Sequence, residues 1–258
     1  MSFQNIDMVE RFQRKYLRQT LKLNKNTPNC MVYGESGCIN VKYIVYRRMI
    51  NFWVRINSCK ESKLVNIMYR LMFRMFIEND HKFKWLSKVK EILDSCGYSN
   101  VFYDISLLNK QWIKSSIKQK IHDISVQSWL TEVNNNSVCT NYRLFKTKLC
   151  IGEFVLGNID NKITLLKFRC RNFRIPVNLH RYNDNVSDKC NLCTLGEVGD
   201  EFHYVFKCKR FEDDRVQLLK NYFRRHVNAL QFEELFNSKG KQLKNVISFI
   251  KIIIVNFK

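Results

Sequence analysis

The chain has 258 residues, 45% of them hydrophobic, and sets 44 Lys and Arg against 23 Asp and Glu for a formal net charge of +21. That hydrophobic share supports a packed core and excludes a globally disordered polyelectrolyte. The excess positive charge points to a polyanionic partner, with nucleic acid as the default, while no apolar run reaches the length of a transmembrane span.

Two Pro and eight Gly among so many Leu, Ile and Lys argue for helices over a turn-rich sandwich. Ten Cys without a framework of paired spacings fit a reducing compartment, so an intracellular protein, nuclear or cytoplasmic, is expected. The first residues show no basic stretch followed by an apolar core, and no signal peptide is expected.

Residues 3–23 space Ile6, Val9, Phe12, Tyr16, Leu17 and Leu21 at helical intervals, with Arg11, Arg14, Lys15 and Arg18 between them, which predicts an amphipathic helix with a basic face. Residues 24–29, with Pro28, end it, and residues 31–35 read as a short irregular or extended piece. The helical pattern returns over 41–56. A further helix is predicted over about 62–78, where Leu64, Val65, Met68, Leu71, Met72, Met75 and Phe76 read as a core stripe. Residues 85–96 form the next helix, stopped by Gly97. Residues 107–137 read as one long or two broken helices, with Trp112, Ile113, Ile117, Ile121, Ile124 and Trp129 on one face, and the polar run 134–137 marks a domain boundary.

Beyond it, a turn at 154–157 leads to a helix from about 162, closed by Ile175 and Pro176. Lys167, Arg169, Arg171, Arg174 and Arg181 make a dense basic block interleaved with Phe168 and Phe173, a candidate surface for phosphates and unpaired bases. Residues 211–225 predict an amphipathic helix with Asp213 and Asp214 in its first turn, where the helix dipole favours them. Residues 232–236 and a very apolar terminal helix over 243–257 complete the chain, with a buried strand as the rival for the latter. The expected fold is mainly α: a multi-helix connector region over 1–135, then a small basic zinc-binding helical domain over 136–258.

The chemistry concentrates in residues 190–208. Cys190, Cys193, His203 and Cys208 follow the pattern Cys-x2-Cys-x9-His-x4-Cys, four thiolate or imidazole ligands within nineteen residues. That is the ligand set of a closed tetrahedral Zn2+ site, and closed coordination leaves no position for substrate, so the expected zinc is structural. The other seven Cys lack ligand spacing and read as core or surface thiols.

The segments 165–176 (LLKFRCRNFRIP), 188–193 (DKCNLC) and 196–208 (GEVGDEFHYVFKC) together resemble the C-terminal zinc-binding region of invertebrate non-LTR retrotransposon reverse transcriptases. Upstream, 27–37 (TPNCMVYGESG), 46–53 (YRRMINFW) and 62–69 (SKLVNIMY) look like the connector that follows the polymerase domain in those proteins. One departure is visible after Gly37, where Cys38, Ile39, Asn40 and Val41 replace the expected Arg, aromatic, Pro and Leu. The resemblance implies a non-catalytic tail that holds template RNA or target DNA, with a polymerase domain as a possible protein partner. Polymerase chemistry needs separated carboxylates holding two metals; the only formal match, Phe211 to Asp214, reads as a helix start, so no enzyme is expected. The alternatives are a zinc-nucleated protein-docking module and a decayed element fragment without selected function.

Overall fold

A computed structural model describes residues 5–78, 83–104, 109–152, 155 and 160–257. The chain is mainly helical, and no strand occurs among the described residues. The helices are α1 (Ile6–Thr20), α2 (Asn29–Ser36), α3 (Val41–Asn57), α4 (Leu64–Glu78), α5 (Lys84–Ser95), α6 (Ser99–Tyr103), α7 (Lys110–Asn135), α8 (Tyr142–Phe145), α9 (Asp160–Arg169), α10 (Pro176–His180), α11 (Glu212–Leu218), α12 (Ala229–Phe236) and α13 (Gly240–Val255). No described helix is long and apolar enough to cross a membrane. The turn expected at 154–157 lies almost wholly outside the described residues, as does the start expected at 107 for the long helix.

The chain forms two compact units, one of Met1–Glu10 with Ile39–Ser128 and the other of Arg11–Cys38 with Trp129–Lys258. The expected division at 135 differs from this by a few residues, and it placed residues 11–38 with the first half. The reason lies in α2.

Residues 31–35 fold as part of α2 and are not extended. Pro28 precedes the helix, and Gly37 ends it in a left-handed conformation (φ 66°), where a Cβ would come within 2.4 Å of the Ile151 backbone nitrogen. Cys30, Met31, Val32, Tyr33, Gly34 and Glu35 are all buried, so tertiary packing overrides the β-leaning local residues. The Trp129 indole donates to the Cys30 carbonyl at 2.8 Å, and a Cβ on Gly34 would meet the Tyr142 hydroxyl at 2.3 Å. α2 is therefore the centre of the larger unit. Around it gather Phe145 of α8, Leu165, Leu166 and Phe168 of α9, Phe232 and Phe236 of α12, and Phe249 and Ile250 of α13. The last of these settles the C-terminal segment as a core helix.

In the smaller unit, Trp53 of α3, Tyr69 and Phe76 of α4, Leu86 and Val89 of α5, and Ile117 and Ile121 of α7 build the core. The Trp53 indole donates to the Tyr69 hydroxyl at 2.9 Å, and Asn66 caps the α3–α4 turn by donating to the Ile56 and Cys59 carbonyls. This burial splits the expected core stripe of α4: Phe76 is buried and Met72 packs against the core, whereas Leu64, Val65, Met68, Leu71 and Met75 are exposed. The helix is apolar around most of its circumference, so spacing alone did not single out the buried face. Trp112 on α7 is likewise exposed.

Arg169 is the largest charge in the interior, 2% exposed. Its Nε meets Glu35 Oε1 at 3.1 Å, its Nη1 donates to the Phe236 carbonyl at 2.9 Å, and its guanidinium lies 4.4 Å from the centroid of the Phe145 ring. One side chain thus ties α9 to α2, α8 and α12. Glu35→Ala should leave that guanidinium buried without its counter-charge and destabilise the larger unit by about 3–5 kcal/mol. The double replacement Glu35→Leu with Arg169→Met should cost markedly less. Denaturant unfolding of the three proteins checks this ordering.

Candidate metal centre and basic cleft

Cys190 and Cys193 are carried by a narrow antiparallel turn in which Lys189 pairs with Val198. The Cys190 N–H donates to the Glu197 carbonyl and the Gly199 N–H to the Asp188 carbonyl, each at 2.8 Å. Gly196 supplies the left-handed residue (φ 67°) that closes the turn. At Gly199 the requirement is space: a Cβ there would lie 2.5 Å from the Tyr204 hydroxyl and 3.2 Å from Cys190 Cα. The Leu192 N–H points at the Cys190 sulfur at 3.4 Å.

His203 and Cys208 arrive from the other side by a different device. Asp200 Oδ1 accepts from the His203 N–H at 2.8 Å and opens a helical segment whose turn over His203–Lys207 is π-helical. The Cys208 N–H donates to the His203 carbonyl at 2.8 Å, the five-residue step of a π turn. An α-helical step would close one residue earlier. Arg215 of α11 locks the wide turn by donating to the Val205 and Cys208 carbonyls.

The four ligand atoms lie within 4.8 Å of one another and could hold a metal ion. Cys190 Sγ and Cys208 Sγ are 3.9 Å apart, and Cys193 Sγ and His203 Nε2 are 3.4 Å apart. A regular tetrahedron built on metal–sulfur bonds of about 2.3 Å and metal–nitrogen bonds of about 2.0 Å has edges of about 3.8 Å and 3.5 Å, close to these two separations. His203 Nδ1 bonds Glu197 Oε2 at 3.1 Å, which turns Nε2 toward the cluster. Glu197 also takes Lys207 Nζ at 3.0 Å, and the hydrogen bonds from His203 and Lys207 hold its carboxyl below the usual range. Burial, with the neighbouring Cys190 sulfur, pushes the Cys208 thiol up to about 12. The Cys208 thiol therefore ionises readily only where a cation compensates it, and metal uptake there would release its proton.

The basic block divides. Arg169 and Arg171 are not available to phosphates, which corrects their expected role. Arg169 belongs to the core ion pair, and Arg171 is paired in two places with Glu201, Nε to Oε1 at 2.9 Å and Nη2 to Oε2 at 3.1 Å. Arg171 also donates to the Val138 carbonyl at 2.8 Å, and Asn141 donates to both Asp200 and Glu201. Arg171 ends α9 in a left-handed conformation (φ 57°), the position glycine usually takes. Its side-chain bonds hold it in that conformation. Phe168 is buried and Phe173 packs against the core, so neither is a free stacking surface. Lys167 is half-buried on α9, whereas Arg174 and Arg181 are exposed.

Arg174 and Arg181 face a cleft of about 790 Å3 that the sequence did not reveal. Lys25, Thr27 and Pro28 form one wall, Ser137 and Val138 another, and residues 170–174 with Asn178, Leu179, Arg181 and Tyr182 the rest. No carboxylate lines it among the described residues. Residues 24–28 escaped notice because they lie more than a hundred positions from the other walls. Glu197, Asp200 and Arg215 escaped because second-sphere contacts have no fixed spacing. Residues 211–225 also differ from expectation: α11 is short, and a separate 3-10 turn, Asn221–Arg224, follows it. Glu212, Asp213 and Asp214 do lie in the first turn of α11.

No protein-family profile, curated protein or solved structure matches the chain.

Cys193→Ser should abolish stoichiometric metal binding and lower the thermal stability of the larger unit, with the core of the smaller unit melting as before; metal analysis and hydrogen exchange read the two effects separately. Glu197→Gln should keep all four ligands yet weaken metal affinity by about 10–100-fold, read by competition with a chromophoric chelator.

Proposed function

We propose that the chain is a zinc-organised, non-catalytic module that binds nucleic acid. One observation carries the reading: a cleft rimmed by Lys25, Arg174 and Arg181, with no carboxylate in its lining among the described residues, in a chain of net charge +21. Such a surface attracts phosphates and releases their condensed counterions. The three-thiolate, one-imidazole set suits Zn2+ among common cations, and with all four positions filled by protein the ion is structural. Its part is to fix the segment 188–208, and through Asp200, Glu201 and Arg171 the end of α9 behind the cleft.

The resemblance to the post-polymerase region of non-LTR retrotransposon reverse transcriptases supports the same reading, with template RNA or target DNA as the ligand and a polymerase domain as a protein partner. Free thiols at all ten Cys suit a reducing intracellular setting, nuclear or cytoplasmic. No catalytic role is assigned: Glu212, Asp213 and Asp214 serve as helix-start carboxylates, which the dipole of α11 favours.

A docking role draws on a different face. Leu64, Met68, Leu71 and Met75 make an exposed apolar stripe along α4, the kind of surface a partner helix covers.

Titration of the metal-loaded protein with an RNA hairpin and a DNA duplex over a salt series separates the two readings. Three phosphate contacts predict a log–log slope of about −2 to −3, steeper with more. Weak binding that is indifferent to salt, with metal fully bound, would leave the docking role in its place.

A further inference from the structure

The cleft has features beyond positive charge. Tyr182 stands at its rim with 76% of its surface exposed, beside the half-exposed Leu179, so a large aromatic face is presented where the basic groups converge. A rigid loop supports that face: Asn178 donates to the Arg171 and Phe173 carbonyls, and the Tyr182 N–H donates to the Leu179 carbonyl.

Within the cleft, Asn172 is half spent. Its Oδ1 accepts from the Thr27 hydroxyl at 3.0 Å, whereas its Nδ2 is buried with no acceptor. A buried donor without a partner costs free energy. Lys25 and Arg174 are exposed and meet no carboxylate among the described residues. Arg181 is exposed and is held by one bond to the Ser137 carbonyl.

An open aromatic face and three cations around about 790 Å3 match one unpaired nucleotide with its flanking phosphates. In a duplex the base faces are stacked on one another and closed to Tyr182, while an unpaired base offers its π face directly. We infer that this cleft binds single-stranded nucleic acid, stacking an unpaired base on Tyr182 while Lys25, Arg174 and Arg181 take the adjoining phosphates. The inference rests on the nucleic-acid reading of the module and sharpens it to a place and a strand state.

Fluorescence anisotropy of the zinc-loaded full chain, with a labelled single-stranded oligouridylate and with a blunt duplex, tests it. Tyr182→Ala should weaken the single strand about ten-fold and the duplex less than two-fold, and Tyr182→Phe should restore the loss. Lys25→Glu combined with Arg174→Glu should weaken both ligands. All these positions are exposed, so zinc content and melting temperature should stay at wild-type values. A Tyr182→Ala protein that binds the single strand as wild type does, or loses both ligands equally, overturns the stacking cleft. If wild type binds steeply with salt while every cleft variant matches it, the cleft is wrong and the module reading stands. If wild type binds neither ligand, both fall.

Discussion

A guanidinium buried at the centre of a core must be neutralised where it lies, because moving a lone charge out of water costs several kcal/mol. Arg169 imposes this on the larger unit. Its counter-charge, Glu35, comes from a helix 134 residues earlier, and its remaining donors need the C-terminal end of α12. The relative placement of α2, α8, α9 and α12 follows from satisfying one side chain. Two residues on, Arg171 repeats the arrangement in the opposite direction and fixes Glu201 at the entrance of the metal segment. The end of α9 thus joins the hydrophobic core to the metal cluster through two ion pairs, neither of which is exposed.

This division of labour explains what the amino-acid pattern could convey. The ligand set was legible because metal coordination demands particular atoms at short chain separation. The helices were legible because their apolar periodicity is local. The roles of the arginines were not, since a basic residue on a helix looks the same whether it meets solvent or a distant carboxylate. α2 was hidden by its β-leaning composition, and its Pro28 and Gly37 brackets were the signal that could have shown it. α4 misled for the opposite reason: an apolar residue at nearly every angle gives no direction. Long-range partners decided each of these cases.

The metal segment and the cleft combine two ways of building rigidity. In residues 188–208 a ligand set, a tight turn and a π turn fix a short stretch of chain, with little core of its own. In the cleft the walls are set by buried polar contacts from Thr27, Arg171 and Asn178, which leave the rim side chains exposed. Pre-formed walls lower the entropic cost of ligand capture, so under the proposed function a few exposed cations and one aromatic ring would suffice for recognition.

The discontinuity of the larger unit also orders its assembly in time. During synthesis the run Ile39–Ser128 emerges whole, with almost all of its own core, while everything from Trp129 onward is still unmade. Throughout that interval Cys30, Met31, Val32 and Tyr33 lack α8, α9, α12 and α13, which later help to bury them. Contacts of such long sequence separation form late, and the waiting segment is open to chaperones and proteases alike. The earliest residues of the larger unit are therefore among its last to become native.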